Sequence, residues 1–430
     1  MALLRRAGFR GLIAVCLPLL AVKPAPGYSV LSHEAMIDAL WDVQLKPTLL
    51  ARFPSATPEQ LKEAHGYAYG GAIIQDIGFY PHGNGYFSDL THYALAGDFI
   101  IALISESQNL NELAFALGAL SHYFSDNDGH RLATNIAEPL LYPKLRRKFG
   151  DVITYEDMPR VHLQTEFGFD VLEVAKGNFA PQAYHDFIGF NVARPVLERA
   201  FRDTYGFDLG TMFQDFDGAI GSYRHAVSKT VPTATRVAWA QRESEIRRIR
   251  PSITRREFVY IMRRSSYERE WGKRYDRPTF GDYVLAFFLK LVPPIGPLKA
   301  LRFKMPTPQV EQIFMRSFEA ATAGYRSRLS DTAGGNLQLA NTNFDLGRAA
   351  RPGEYRLQDD TYAYWLHALA EDKFSGVTPR IGDEILGYYS NFKALLDTKK
   401  DKENWRRVLT ELDELKATRA ALGANGRETF

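Results

Sequence analysis

Wherever the chain is strongly patterned, its apolar residues recur at helical spacing, and no stretch alternates residue by residue for long enough to make a half-buried strand. Over 31–49 the markers are Met36, Leu40 and Val43, and the same period returns at 110–126, 159–176 and 181–201. Turn-rich pieces such as Tyr80-Pro81-His82-Gly83-Asn84-Gly85 separate these runs. The pattern constrains the chain to an all-α, multi-helix fold. Its 430 residues, 45 % of them hydrophobic, can fill a substantial core. No repeat of fixed period and no low-complexity tract interrupts it.

The first 27 residues stand apart. Arg5, Arg6 and Arg10 precede an apolar run over 11–22, and Ala25-Pro26-Gly27 puts small residues where a signal peptidase cuts. The run is short and holds Pro18, which argues against a membrane anchor. A removable export signal is therefore expected over 1–27, giving a secreted or periplasmic product. Its removal takes away Arg5, Arg6, Arg10 and Lys23 and no acid, turning the net charge of +3 into −1. Bulk charge then gives no support for nucleic-acid binding. The one cysteine, Cys16, leaves with the signal, which excludes a cysteine nucleophile, thiolate zinc ligands and disulfides in the processed chain.

Chemistry concentrates before residue 170. Five histidines and three carboxylates, His33, Asp76, His92, His122, Asp126, His130, His162 and Glu166, stand at spacings that a cluster of zinc ions needs. Ligands four residues apart on a helix leave from one face, so His122 with Asp126, and His162 with Glu166, can each hold a metal from a single helix. The first pair ends an apolar helix with Leu113, Leu117 and Leu120 as its core stripe; the second follows Asp157 and Pro159, which read as a helix cap and first turn. One such pair alone is commonly a surface contact. Two pairs with His130 four residues past Asp126 favour a metal centre. His82 and Asp89 are reserve ligands, and His65, His185, His225 and His367 read as structural.

These motifs resemble the zinc-dependent phospholipase C family, which shares its fold and zinc cluster with single-strand-specific zinc nucleases. The resemblance is carried by Tyr28-Ser-Val-Leu-Ser-His33, Gly71-Ala-Ile-Ile-Gln-Asp76, Thr91-His92-Tyr93, Leu120-Ser-His122-Tyr-Phe-Ser-Asp126, His130 and His162-x3-Glu166, and it covers roughly 28–235. In the nuclease branch the processed chain begins with an aromatic residue five positions before a ligand histidine. Tyr28 holds that place, and cleavage after Gly27 exposes it. The resemblance implies three zinc ions: Asp76, His92, His122 and Asp126 on the first, His130, His162 and Glu166 on the second, and Tyr28 and His33 with the bridging Asp126 on the third. Tyr28 would chelate through its free amine and its carbonyl oxygen. The implied reaction is phosphodiester hydrolysis by a metal-bridged hydroxide, with Asp76 or Asp126 as the catalytic carboxylate.

Two departures accompany the likeness. His130 follows the bridging aspartate by four residues where such phospholipases place six, and Ile77 stands where choline-preferring members have an aromatic. Glu166, in place of aspartate, favours the phospholipase branch. The expected substrate is a glycerophospholipid, cleaved to diacylglycerol and a phosphorylated headgroup; single-stranded nucleic acid is the substrate under the alternative nuclease or nucleotidase reading. A third reading is a non-catalytic, metal-stabilised membrane-binding protein. The aromatic run Phe79, Tyr80, Tyr86, Phe87 and Tyr93 reads equally as a stacking platform and as core. No protein partner can be inferred.

The expected organisation is a signal over 1–27, a phospholipase C-like catalytic domain over 28–235, a segment over 236–305 and a helical C-terminal region over 306–430. Within 242–274 eleven Lys or Arg stand against five Asp or Glu, and 283–301 is apolar but broken by Lys290 and Pro293-Pro294. Such a segment fits a charged helix and buried hairpin, or a membrane-facing surface. The tail over 391–422 reads as one long amphipathic helix.

Overall fold

The computed structural model describes residues 30–179, 191–225, 231–259, 303–390 and 399–425. Tyr28, His185 and the expected signal lie outside them, as do residues 260–302 of the basic and apolar segment. The architecture is all-α. Among the described residues there is no sheet, only one isolated bridge between Asn343 and Arg348, and no single helix is long and apolar enough to cross a membrane.

The first half runs α1 (Val30–Leu40), α2 (Lys46–Arg52), α3 (Pro58–Gly71), a tight turn over Ile74–Phe79, α4 (Gly85–Tyr93), α5 (Ala96–Ser105), α6 (Leu110–Gly129), a wide turn over His130–Thr134, α7 (Asn135–Leu141), α8 (Pro143–Phe149) and α9 (Pro159–Lys176). There follow α10 (Arg194–Tyr205), α11 (Leu209–Met212), α12 (Phe216–His225), α13 (Val231–Ile249) and α14 (Arg255–Phe258). The C-terminal half supplies α15 (Pro308–Ala333), α16 (Arg356–Glu371), α17 (Pro379–Ser390) and α18 (Lys399–Asn425).

Local sequence sets the ends of these helices. Thr57 and Gln60 close a reciprocal cap on α3, and Asn109 caps α6 by accepting from the Glu112 N–H. Pro159 opens α9 as expected, but Asp157 does not cap it. The Asp157 carboxylate turns back to accept from the Thr154 N–H and hydroxyl, and Met158 occupies the cap position without a side-chain bond. The expected helix over 181–201 appears among the described residues as α10, which starts at Arg194; residues 180–190 lie outside them.

One hydrophobic core joins the two halves. Leu113, Leu117 and Leu120 of α6 belong to the same buried cluster as Phe314, Tyr325 and Trp365 from the C-terminal half. α15 lies along α6, where the Tyr325 hydroxyl donates to the Leu117 carbonyl (2.8 Å) and the Ser317 hydroxyl to that of Asp128 (2.9 Å). A smaller cluster of Val171, Ala175, Trp239, Ile246, Phe258 and Phe303 ties α9 to α13. The aromatic run divides accordingly: Phe87 packs into the core against Phe201 and Phe213, Tyr86 stacks on Tyr364, and Phe79 and Tyr93 flank His92.

Candidate metal centre

Each candidate ligand is held by its own local device. His33 rides on the first turn of α1, whose start is fixed by Asp170 of α9 through bonds from the Leu31 N–H (3.3 Å) and the Ser32 hydroxyl (2.8 Å). Asp76 sits in the tight turn after α3, its N–H on the Ile73 carbonyl. His92 lies one turn above Ser88 on α4, and its Nδ1 is 2.7 Å from the Ser88 carbonyl oxygen. His122 and Asp126 project from α6, and His122 Nδ1 is 2.9 Å from the Ala72 carbonyl oxygen. His130 opens the wide turn at the end of α6, so steps of four residues put His122, Asp126 and His130 on one stripe of one helical run. His162 and Glu166 come from α9 in the same way.

Among the described residues three groups of side chains could each hold a metal ion: Asp76, His92 and His122; His130, His162 and Glu166; and His33, His122 and Asp126. All eight residues are buried. Asp126 lies between its neighbours, its Oδ2 at 3.1 Å from His122 Nε2 and 3.3 Å from His92 Nε2 and its Oδ1 at 3.4 Å from His33 Nε2. A carboxylate shared between two ions needs such a placement. In the second group Glu166 Oε1 is 2.9 Å from His162 Nε2 and 3.5 Å from His130 Nε2. His82 and Asp89 belong to none of the three groups. His65 stacks on Trp41, and His367 Nδ1 is 2.7 Å from Glu411 Oε1, both away from this centre.

The donor set fits a cation. With Nδ1–H of His92 and of His122 donating to backbone carbonyls, each neutral ring keeps its lone pair on Nε2, yet the two Nε2 atoms are only 3.3 Å apart. Two facing lone pairs beside a buried carboxylate repel unless a proton or a metal ion lies between them. Asp76 Oδ1, both oxygens of Asp126, Glu166 Oε1, and Nε2 of His130 and His162 are buried without a hydrogen bond, as metal-directed atoms would be.

Electrostatics point the same way. Burial opposes protonation of His92, but the carboxylates of Asp126 and Asp76 override it and push the imidazole up to about 10. Burial would raise Asp126, but the imidazoles of His122 and His92 hold its carboxyl well below the usual range. Burial, helped by His122, pushes His33 down to about 3, leaving it a neutral donor. Burial raises Asp76, against the pull of His122 and His92.

Three residues at this centre are absent from the sequence reading. Glu138 Oε1 is 2.8 Å from His162 Nδ1, and burial raises its carboxyl to about 7. The signal for it was present, since the four-residue step of His122, Asp126 and His130 continues past Thr134 to Glu138. Asp345 Oδ1 is 3.3 Å from His130 Nδ1, and the Phe344 ring lies against His92 and His122. These two come from a segment with neither helical period nor ligand spacing, and no sequence signal marks them.

Residues 32–207 match the family model described as zinc dependent phospholipase C. No curated protein and no solved structure matches the chain. Every member of the three groups falls inside 32–207, whereas Phe344 and Asp345 fall outside it.

Proposed function

Residues 32–207 form a domain of the zinc-dependent phospholipase C family, a hydrolase fold, and on that premise we propose that this chain cleaves the glycerol-side phosphodiester of a glycerophospholipid. The products are diacylglycerol and a phosphorylated headgroup. The observation that carries the reading is the set of three buried donor groups within that domain, two of them joined through His122 and Asp126. Glu166, at the place where the phospholipase branch has glutamate, supports lipid over nucleic acid.

Zinc is the ion we assign: imidazole and carboxylate donors without thiolate suit it, and it supplies Lewis acidity and lowers the pKa of water. The protein's own part is placement and proton handling. His33 is already a neutral donor beside Asp126, whereas His92, pushed up to about 10, has to give up its proton to the ion; Asp126 stays anionic under the pull of His122 and His92. Asp76, raised by burial, is the better proton acceptor of the two catalytic carboxylates. In the overall reaction the oxygen of water bonds to phosphorus, the bond from phosphorus to the glycerol oxygen breaks, and that oxygen leaves with a proton as the diacylglycerol hydroxyl. On the family resemblance Tyr28, if freed by cleavage of an export signal after Gly27, would complete the group of His33, His122 and Asp126 through its amine and carbonyl.

The test is turnover by processed protein beginning at Tyr28, offered mixed phospholipid vesicles and single-stranded DNA in parallel, with chelation and zinc add-back. Chelator-sensitive release of diacylglycerol supports the proposal and names the headgroup. Nucleotide release moves the chain to the nuclease branch, and bound zinc without turnover on either substrate makes it a metal-stabilised binding protein.

A further inference from the structure

A segment of the C-terminal half crosses the metal centre. Asn341 exchanges two hydrogen bonds with Asp98 at the start of α5 (2.7 and 3.0 Å), and the Thr342 hydroxyl donates to Asn127 (2.7 Å). Asn343 pairs with Arg348 across a turn and donates to Gln358 (2.9 Å). The Phe344 N–H then donates to the His92 carbonyl (3.1 Å). Asn343, Phe344 and Asp345 are all buried.

Asp345 is held on three sides. Its Oδ2 accepts from the Tyr155 N–H (3.0 Å) and the Tyr355 hydroxyl (2.6 Å), and its carbonyl accepts from the Asn135 amide (2.7 Å). Oδ1 is left without a hydrogen bond and faces His130 Nδ1. Burying a carboxylate is costly unless donors surround it, and here two donors fix one oxygen so that the other is aimed at an imidazole. Among His92, His122, His130 and His162, only His130 has a distal nitrogen facing a residue outside 32–207. It is also the candidate ligand whose spacing departs from the family pattern.

We propose that Asp345 is a positioning residue of the metal group formed by His130, His162 and Glu166, through which the C-terminal half of the chain retains that ion. With its Oδ1 3.3 Å from His130 Nδ1, Asp345 favours the tautomer that carries the proton on Nδ1 and leaves the Nε2 lone pair facing Glu166. The inference rests on the zinc reading of the centre and extends it beyond the family domain.

The experiment is zinc content of the full chain after dialysis against graded chelator, for wild type, Asp345→Asn, Asp345→Glu, Tyr355→Phe and Asn343→Ala, with melting of each metal-free chain alongside. Asp345→Asn should bind one zinc about 10–100-fold more weakly while its metal-free chain melts as the wild type does. Asp345→Glu, which keeps the charge, should recover part of the loss, and Tyr355→Phe should fall between wild type and Asp345→Asn. In cobalt-loaded protein the visible absorption of one site should change in Asp345→Asn and not in Asn343→Ala. Unaltered zinc affinity in Asp345→Asn overturns the proposal and leaves the family reading standing. Equal zinc loss in Asn343→Ala, which weakens the turn but keeps the carboxylate, reduces Asp345 to a structural role and also overturns it. A wild-type chain that binds no zinc removes the zinc reading itself, and this proposal with it.

Discussion

Gly71 and Gly118 mark the place where α3 and α6 touch backbone to backbone. A Cβ on Gly71 would collide with the carbonyl of Phe115, and one on Gly118 with the carbonyl of Ala68. The contact sets the depth at which α6 lies, and hence where His122 meets the Ala72 carbonyl just beyond the end of α3.

Gly71→Ala and Gly118→Ala should therefore each cost about 1–3 kcal/mol by overpacking, although alanine is the better helix former. Thermal melts should show the loss in the metal-free chain. Zinc dissociation should also quicken, because the helix that carries His122 and Asp126 has to move.

Asp126→Asn removes the charge that two donor groups face. Loss of several kcal/mol of charge stabilisation corresponds to a fall in kcat on the order of 10³-fold. Metal analysis should show that more than one ion is weakened, since Asp126 faces His33 on one side and His92 and His122 on the other. Full activity in this variant would remove the shared-carboxylate arrangement.

Glu138→Gln keeps the shape of the side chain beside His162 but weakens its hold on Nδ1. Zinc affinity of that group should drop roughly 10–100-fold, as read by chelator competition, with kcat at saturating zinc less affected than affinity.

In the metal-free chain His92 and His33 each contribute most near pH 6.5, the usual histidine value. His92, raised to about 10, contributes stability that is complete below 6.5 and is lost as pH climbs toward 10. His33, lowered to about 3, works in the other direction: its contribution is complete above 6.5 and is lost as pH falls toward 3. Urea melts of chelated protein across this range test both limbs. Because zinc must displace the proton on His92, zinc binding at pH 7 should release protons, and apparent affinity should rise with pH.

Chelation should lower the melting temperature, since ions that bind only the folded chain stabilise it by about 4 kcal/mol for each site held at a thousand times its dissociation constant. Zinc add-back should restore the melt, and magnesium should not, because a centre of imidazoles suits it poorly.

The helices and most of this centre were legible because both rest on short-range periodicity. His122, Asp126 and His130 share one helical stripe, and His162 and Glu166 another, so spacing alone brought each set together. Which carboxylate is shared became readable only through the family resemblance, and the structure adds the geometry of Asp126 between His33 and His92. The assignment of Asp157 as a cap failed because α9 starts so that Met158 holds the cap position, and the Asp157 carboxylate is taken up by the Thr154 N–H and hydroxyl. Phe344 and Asp345 were out of reach for another reason. Their positions are set by tertiary contacts with α4, α6 and the turn at His130, which no local pattern encodes.

The pairing of Asn341 with Asp98 joins residues 243 apart in the chain. Contacts of that span close late, because the ordering cost of so long a loop comes before any reward from contact. The far wall of the centre lies more than three hundred residues into the chain, whereas all eight donors lie between His33 and Glu166. The wall that Phe344 and Asp345 lay over the donors is thus the part of the centre whose closure carries the largest ordering cost.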